Sequence, residues 1–328
     1  NDPSKVNSAQ LFPHEIACGA LAAKSITDSD MKQAQWESKI LETEKKLEEF
    51  RSVLAKEACG NSDEIGKALT SGRFIGCADV SGSMTWVGTY PNRPIDIACG
   101  LTCFLSQIAH KDYRDLGLSF TKDPSVFSFK TGNVSMRVKE RMETIMEYSG
   151  LSTNYKGLHR AVLDICEQNS VSEEDVPVIV VFTDGEFDTM DHILNSHEYT
   201  SSGYFKDTGS CVQKWHTMHS EIESMWVSRG YKKIPTIVYW NLNSDVNGVQ
   251  TKAEYPGVQF LQGRSSNMIK YILYGESFKE TTKLVDGVEV SVSSITPYET
   301  FRKVMSEDYY NELVEILKES NEGLLKYF

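Results

Sequence analysis

The stretch "FIGCADVSGSM", which runs from Phe74 to Met84, decides the fold of this chain. Its first part is a short apolar run, which predicts a buried strand. The run stops at Asp79, and Ser81 and Ser83 follow at alternate positions. This spacing lets three oxygen-bearing side chains turn toward one point as the chain leaves the sheet, and we expect Gly82 to give that turn its conformational freedom.

A second run, "VPVIVVFTD" from Val176 to Asp184, is rich in β-branched residues. Such an unbroken run predicts a central parallel strand that is buried on both faces. Helical patterns alternate with these and other predicted strands, which predicts an α/β fold with a doubly wound, mostly parallel sheet. The ligand of such a sheet lies outside the carboxyl ends of its strands, so we expect Asp79 and Asp184 at that edge. Helices are predicted over residues 31–58, 94–110, 136–148, 154–169, 212–230 and 265–273.

The pattern divides the chain into three regions. Residues 1–71 are predicted to be a helical segment, compatible with the end of a truncated helical domain. Residues 72–275 form the predicted α/β domain. Residues 276–328 are predicted to form a β-hairpin followed by a helical extension. The dipeptide Asp286-Gly287 is the signal for a type I′ turn in that hairpin. An apolar stripe over residues 31–58 is shorter than a coiled coil needs, which favours a helix packed on its own chain.

Composition excludes several classes of function. The 328 residues are 40% hydrophobic and carry a formal net charge of -12. That sign disfavours broad electrostatic binding of RNA by this chain, although it does not exclude a local site. We find no run of 18 apolar residues, so no membrane span is expected. The seven cysteines are odd in number and irregularly spaced, which predicts buried thiols in a reducing compartment and a cytoplasmic protein.

A fifth oxygen donor completes a candidate metal site. The segment "GLSTNY" places Thr153 in a loop just before a predicted helix. Together, Asp79, Ser81, Ser83, Thr153 and Asp184 offer only oxygen, with neither sulfur nor imidazole, which favours a hard divalent cation. Neutral hydroxyls can bind the ion directly while carboxylates hold metal-bound waters, an arrangement that suits Mg²⁺, with Mn²⁺ as its natural substitute.

These three loop motifs together resemble the von Willebrand factor A domain with its metal-ion-dependent adhesion site. The resemblance covers roughly residues 72–275, and it implies that the bound ion accepts an Asp or Glu carboxylate from a protein partner. The segments "LFPHEI" (Leu11 to Ile16) and "VYWNL" (Val238 to Leu242) resemble an uncharacterised family of eukaryotic and giant-virus proteins. That family has a plan similar to the Ro/TROVE RNA-binding proteins, a likeness of architecture alone.

The sequence therefore predicts a metal-dependent protein-binding module rather than an enzyme. The nucleophile elbow G-x-S-x-G is absent, and the nearest candidate bases, Glu186 and Asp188, follow a glycine in an acidic loop. Three alternatives stay open: an empty site kept for loop hydrogen bonding, an RNA-binding protein whose main surface lies upstream of Asn1, and a structural role in a larger assembly. The best basic stretch for RNA is "RGYKKIP", residues 229–235, which a solvated turn explains equally well.

Two further clusters have ordinary structural explanations. Cys211, His216 and His219 have a spacing that could contribute to a zinc site, but they lack a fourth ligand, and two histidines three apart are usually helix surface. Cys99 and Cys103 are four apart in a predicted helix, where small core residues are favoured over a redox pair.

Overall fold

The computed structural model describes residues 11–57, 72–86, 88–90, 92–121, 123–147, 154–184, 210–242, 257–263 and 279–294. The helices within these residues are α1 (Pro13–Leu21), α2 (Ile26–Glu57), α3 (Pro94–Ile108), α4 (Val138–Met146), α5 (Tyr155–Gln168) and α6 (Ser210–Ser228). The strands are β1 (Phe74–Asp79), β2 (Leu116–Phe120), β3 (Val126–Ser128), β4 (Lys130–Thr131), β5 (Val134–Ser135), β6 (Val178–Thr183), β7 (Ile237–Asn241), β8 (Val258–Gln262), β9 (Lys279–Val285) and β10 (Val288–Ser294).

Six of these strands form the central sheet, in the order β3-β2-β1-β6-β7-β8. All neighbours pair in parallel except β2 and β3, which are antiparallel. Every residue of β1 and of β6 is buried, as their apolar sequences predict. The chain leaves β1 toward β2 on one side and later returns to β6 on the other, so the topological switch lies between β1 and β6. The predicted α/β fold with a doubly wound, mostly parallel sheet is confirmed.

Close backbone contacts hold the helices against the sheet and against one another. A Cβ atom on Gly76 of β1 would lie 3.2 Å from the Cα atom of Thr102 in α3. A Cβ atom on Gly100, also in α3, would lie 3.0 Å from the Cα atom of His14 in α1. Glycine at these two positions therefore allows α3 to approach both β1 and α1.

The N-terminal helices share the core of the sheet. Trp36 of α2 is fully buried, and its ring packs edge-on against Phe104 of α3 with ring centroids 5.9 Å apart. The indole N–H of Trp36 donates to the side-chain oxygen of Gln107. Leu47 is also buried in the same hydrophobic cluster. The prediction that α2 packs on its own chain rather than forming a coiled coil is confirmed for this part of the helix.

The structure describes the side chains of five cysteines. All five are buried and free of disulfide bonds: Cys18, Cys77, Cys99, Cys103 and Cys166. Burial raises the pKa of the Cys103 thiol to about 12, so this side chain is an inert core residue rather than a reactive one. The expectation of buried thiols is confirmed for these positions. Among the helices that the structure describes, none is both long and apolar enough to cross a membrane.

A separate two-stranded sheet pairs β9 with β10. Its turn residues Asp286 and Gly287 have φ angles of 50° and 78°, as a type I′ turn requires. The hairpin predicted from this dipeptide is therefore confirmed. The helix predicted over residues 265–273 and the helical extension predicted after the hairpin lie outside the described residues.

A buried ion pair ties α4 to the sheet. Arg141 is fully buried, and its guanidinium donates to the carboxylate of Asp115, which precedes β2. It also donates to Ser106 Oγ at 2.9 Å and to the carbonyl oxygen of Met136 at 2.9 Å. A charge taken out of water is costly unless it is paired and hydrogen bonded, and Arg141 meets both conditions.

Replacing Arg141 by alanine should leave the buried Asp115 carboxylate with only a longer ion pair to the partly exposed Lys130, at 3.5 Å, and a hydrogen bond from Ser135. We expect Arg141→Ala to lower the free energy of unfolding by about 3–5 kcal/mol, the usual range for breaking a buried pair. The control is Arg137→Ala, which breaks the exposed ion pair between Arg137 and Asp30 and should cost about 0.2–1 kcal/mol. Urea denaturation followed by circular dichroism measures both, and equal losses would contradict the structural role of Arg141.

Candidate functional site

The predicted site residues that the structure describes meet at the carboxyl edge of the central sheet. Asp79 is the last residue of β1, and Asp184 directly follows the last residue of β6. Because β1 and β6 are adjacent and parallel, their carboxyl ends lie side by side. Ser81 and Ser83 follow β1, so four of the five predicted donors belong to this edge. The fifth, Thr153, lies outside the described residues.

The carboxylate of Asp79 is fully buried and held by two donors. Its Oδ1 accepts from the backbone N–H of Ser81 at 2.9 Å. Its Oδ2 accepts from the hydroxyl of Thr183 at 2.7 Å. Both oxygens are therefore fixed in direction, one by the loop that follows β1 and one by the neighbouring strand β6.

Thr183 is a site residue that sequence reasoning missed. It is the last residue of β6, it is buried, and its Oγ1 orients the Asp79 carboxylate from the adjacent strand. The signal was the hydroxyl residue directly before Asp184 in "FTDGE", but a local pattern does not identify the residue on the other strand that it contacts. Thr183 thus positions Asp79 rather than serving as one of the predicted ligands.

Ser83 lies in a short 3₁₀ turn, Gly82–Thr85, and Ser81 is the N-cap residue that directly precedes this turn. Their hydroxyl oxygens are 3.1 Å apart, so they point to a common region, as the alternate spacing predicts. The role given to Gly82 is wrong. Its φ angle is not among the positive values, and a Cβ atom there would meet no atom within 4 Å. The turn therefore needs no glycine at this position.

The helix that follows Thr153 in the sequence begins at the same sheet edge. Asn154, the next residue, is the N-cap of α5, and its side-chain oxygen accepts from the backbone N–H of Gly157 at 2.9 Å. Its own backbone N–H donates to the carbonyl oxygen of Thr121, just past the end of β2, at 2.9 Å. Strand β2 neighbours β1, so α5 begins beside the strand that carries Asp79.

Burial raises the pKa of Asp79 to about 7 in the metal-free protein. Desolvation is the main cause, the hydrogen bonds from Ser81 and Thr183 act in the opposite direction, and the nearby Asp184 raises the pKa further. Within the described residues Asp79 has no ion pair with Lys or Arg. The centre of this site is therefore a buried carboxylate whose negative charge lacks a cationic side chain.

The donor set of this edge is made of carboxylate and hydroxyl oxygens. Across the part of the chain that the structure describes, no group of three or more His, Cys, Asp and Glu could hold a metal ion. The candidate site at the sheet edge differs from such a group, because only two of its predicted ligands, Asp79 and Asp184, are carboxylates and the others are hydroxyls. Neither Ser81 nor Ser83 hydrogen bonds to a histidine among the described residues.

One histidine of α6 does not lie on the helix surface as expected. His219 is buried, and its ring packs on Tyr155 with centroids 5.2 Å apart. His159 of α5 contacts the same ring at 5.0 Å and accepts from the indole N–H of Trp226 at Nδ1, 3.2 Å away. Burial, with His219 as a smaller cause, lowers the pKa of His159 to about 3, so it stays neutral. The interpretation of His219 as helix surface is wrong, whereas the side chains of Cys211 and His216 are not described.

Comparison with known proteins identifies a family without an assigned function. A family model described as "Domain of unknown function (DUF7788)" matches residues 73–308, which is more than half of the chain. No curated protein matches it. Among solved structures, one is described as "Crystal structure of Deinococcus radiodurans RO (RSR) protein". It is similar at a TM-score of 0.39 and 13% identity, over 84% of this chain and 46% of that chain.

The chain thus spans less than half the length of that Ro protein. Neither match names a von Willebrand factor A domain, so the resemblance of the loop motifs to that domain stays a prediction.

The raised pKa of Asp79 predicts how the stability of the metal-free protein depends on pH. An acid whose pKa is higher in the folded state contributes stability below its unfolded pKa, near 3.8, and loses it as the pH rises through about 7. In EDTA, the wild type should therefore lose stability between pH 5 and pH 8. Asp79→Asn should remove this loss, which is on the order of 1–4 kcal/mol.

Urea denaturation at the two pH values measures this effect, with the exposed Asp164→Asn as the control. An Asp79→Asn protein with the same pH dependence as the wild type would show that the Asp79 carboxylate is not the group responsible.

Proposed function

The chain belongs to the family described as "Domain of unknown function (DUF7788)", and we propose that it is a metal-dependent protein-binding module. The single observation that carries this proposal is the fully buried Asp79 carboxylate, which lies at the topological switch of the sheet next to the hydroxyls of the following turn. A buried carboxylate that has no cationic side chain beside it within the described part of the chain is an anionic pocket that a metal ion would neutralise.

Magnesium fits the donors that are present. Ser81 and Ser83 would hold the ion through hydroxyl oxygens, together with Thr153, which directly precedes the N-cap residue of α5 in the sequence. Asp79 and Asp184 would supply the balancing negative charge. Oxygen donors with few carboxylates suit Mg²⁺, which keeps part of its hydration, and Mn²⁺ can replace it. When bound, an ion held mostly by neutral groups keeps most of its charge and attracts an external carboxylate.

The partner that follows from this chemistry is a protein that supplies an Asp or Glu side chain. A protein carboxylate is a hard oxygen ligand of the same kind as those already present. The hydrogen bond from Thr183 to Asp79 supports this function, because a carboxylate held in one direction keeps the ion pocket in shape.

We further propose that the site is not catalytic. Hydrolysis would need a base within reach of a metal-bound water. Asp79 is engaged by Ser81 and Thr183, and the candidate bases Glu186 and Asp188 lie outside the described residues. We expect no phosphoesterase, nuclease or peptidase activity that depends on Mg²⁺ or Mn²⁺. Turnover lost in both Asp184→Ala and Glu186→Ala, with the fold intact, would favour an enzyme instead.

RNA binding is the alternative that the sequence leaves open, and no contact in the described residues favours it. In the basic stretch over residues 229–235, Arg229 donates to both carboxylate oxygens of Glu167, at 2.7 and 2.8 Å. Its charge is thereby balanced by a neighbour on the same chain. With a net charge of -12, we propose that this chain does not bind RNA through a broad basic surface.

Titration calorimetry with MgCl₂ and MnCl₂ tests the metal site directly. We expect the wild type to bind one ion weakly and Asp79→Ala to bind at least about tenfold more weakly, because a charged ligand group is removed. The exposed Asp164→Ala serves as the matched control and should bind as the wild type does. Identical traces for wild type and Asp79→Ala would end the metal hypothesis.

The role of Thr153 is tested by binding of a protein partner. Thr153→Ala removes a hydroxyl donor and should abolish metal-dependent capture, whereas Thr153→Ser keeps the hydroxyl and should preserve it. The measurement is a pull-down with Mg²⁺ or with EDTA, followed by identification of proteins that depend on the ion. Capture that is equally strong in EDTA would contradict a metal-dependent interaction.

For RNA, we expect weak or undetectable binding at physiological salt. Fluorescence anisotropy with a labelled single-stranded RNA measures the affinity over a range of salt concentrations. Tight binding with a steep salt dependence would overturn this expectation, since a steep slope reports several phosphate contacts.

A further inference from the structure

Two large aromatic side chains are exposed on the loop that links the serine turn to α3. Trp86 is 78% exposed and Tyr90 is 51% exposed. The loop follows Ser83 directly and ends at Pro94, the first residue of α3. Tryptophan and tyrosine are the residues most enriched among those that dominate binding energy at protein interfaces.

Backbone contacts hold this loop beside the candidate metal site. The backbone N–H of Trp86 donates to the carbonyl oxygen of Ser83 at 3.0 Å, so the indole belongs to the same turn as a predicted ligand. Farther along, the N–H of Asn92 donates to the carbonyl oxygen of Thr89 at 2.7 Å. Gly88 has a φ angle of 84°, and a Cβ atom there would lie 3.0 Å from the carbonyl oxygen of Asn92. The loop closes on itself, and only glycine fits at that bend.

Arg93 fixes the far end of the loop. Its Nε and Nη2 donate to the two carboxylate oxygens of the buried Asp96, at 3.0 and 2.9 Å. The guanidinium also lies over the ring of Tyr90, with its Cζ 5.4 Å from the ring centroid. Its Nη1 has no partner in the part of the chain that the structure describes. Because the side chain is already held in one position, little freedom is lost when that nitrogen donates to a ligand.

The charge of this loop differs from that of the rest of the molecule. The chain has 46 Asp and Glu against 34 Lys and Arg. Residues 85–95, in contrast, contain Arg93 and no acidic residue. The charge of Arg93 is paired with Asp96 at the start of α3, so the loop has no unbalanced charge and, unlike most of this acidic surface, does not repel an acidic ligand.

We infer that residues 86, 88–90, 92 and 93, here called the rim loop, bind an acidic peptide segment of the protein partner. The inference rests on the proposed function, because an Asp or Glu of that segment is the group that reaches the metal. An apolar side chain next to it packs on Trp86 and Tyr90, and Arg93 Nη1 donates to a carbonyl or carboxylate oxygen of the same segment. The rim loop therefore determines which carboxylate-bearing proteins the site accepts.

A library of random linear dodecapeptides displayed on phage provides the probe. The library is panned on the full chain in MgCl₂, and bound phage are released with EDTA. We expect the enriched peptides to share an Asp or Glu with an adjacent apolar or aromatic residue. A synthetic enriched peptide should bind Trp86→Ala and Tyr90→Ala at least about tenfold more weakly than the wild type, the loss that is typical of an interface anchor.

The control variant is Leu284→Ala, which truncates a side chain that is similarly exposed on the β9–β10 hairpin and should leave peptide binding unchanged. Calorimetry with MgCl₂ on every variant separates this inference from the proposed function. Trp86 and Tyr90 are exposed, so their alanine variants should fold and bind Mg²⁺ as the wild type does.

Three outcomes would overturn the inference. If the wild type binds no Mg²⁺, the proposed function fails and the inference fails with it. If Mg²⁺ binds but no acidic peptide is enriched, or if Trp86→Ala and Tyr90→Ala bind the peptide normally, the rim loop alone is excluded. If a labelled 20-nucleotide oligouridine binds and is lost in these two variants, the aromatic rings stack on bases instead.

Discussion

The parallel pairing of β1 with β6 is the constraint on which the rest of the site depends. In the observed register Cys77 lies opposite Val181 and Ala78 opposite Phe182, so the two strands end together. That register places Asp79 within 2.7 Å of the Thr183 hydroxyl. Because side chains alternate between the faces of a sheet, a shift of one residue would turn Thr183 away from Asp79.

The strands, most helices and the carboxyl edge could be predicted because their signals are local. The run that ends at Asp79 is a continuous apolar segment, and the run that ends before Asp184 is equally clear. Parallel strands then require both aspartates at one edge. Thr183 could not be assigned its role in this way, since its partner lies on a different strand and depends on register. The same limit applies to Arg141, a charged residue in an amphipathic pattern that the structure places in the core.

Two interpretations were wrong because each inferred a structural property from the residue type alone: a backbone conformation for Gly82 and a surface location for His219. Glycine permits a left-handed turn without requiring one, and Gly82 lies in a 3₁₀ turn that other residues could adopt. Histidine is often on the surface, but His219 is buried with its ring packed on Tyr155. Only the three-dimensional neighbours of such residues decide between these alternatives.

Two of the buried acids, Asp115 and Asp79, show how a structural charge differs from the charge on which the proposed function rests. Asp115 pairs with the buried Arg141, which is itself satisfied by Ser106 and Met136, so that charge is balanced within the fold. Asp79 is also buried, but among the described residues it receives a backbone N–H and a hydroxyl, has no ion pair, and lies near a second carboxylate. Such a carboxylate makes the metal-free fold less stable, and a natural sequence tolerates that cost mainly where function requires it. The uncompensated charge at the sheet switch is therefore the strongest physical reason to assign the function of this chain to that edge.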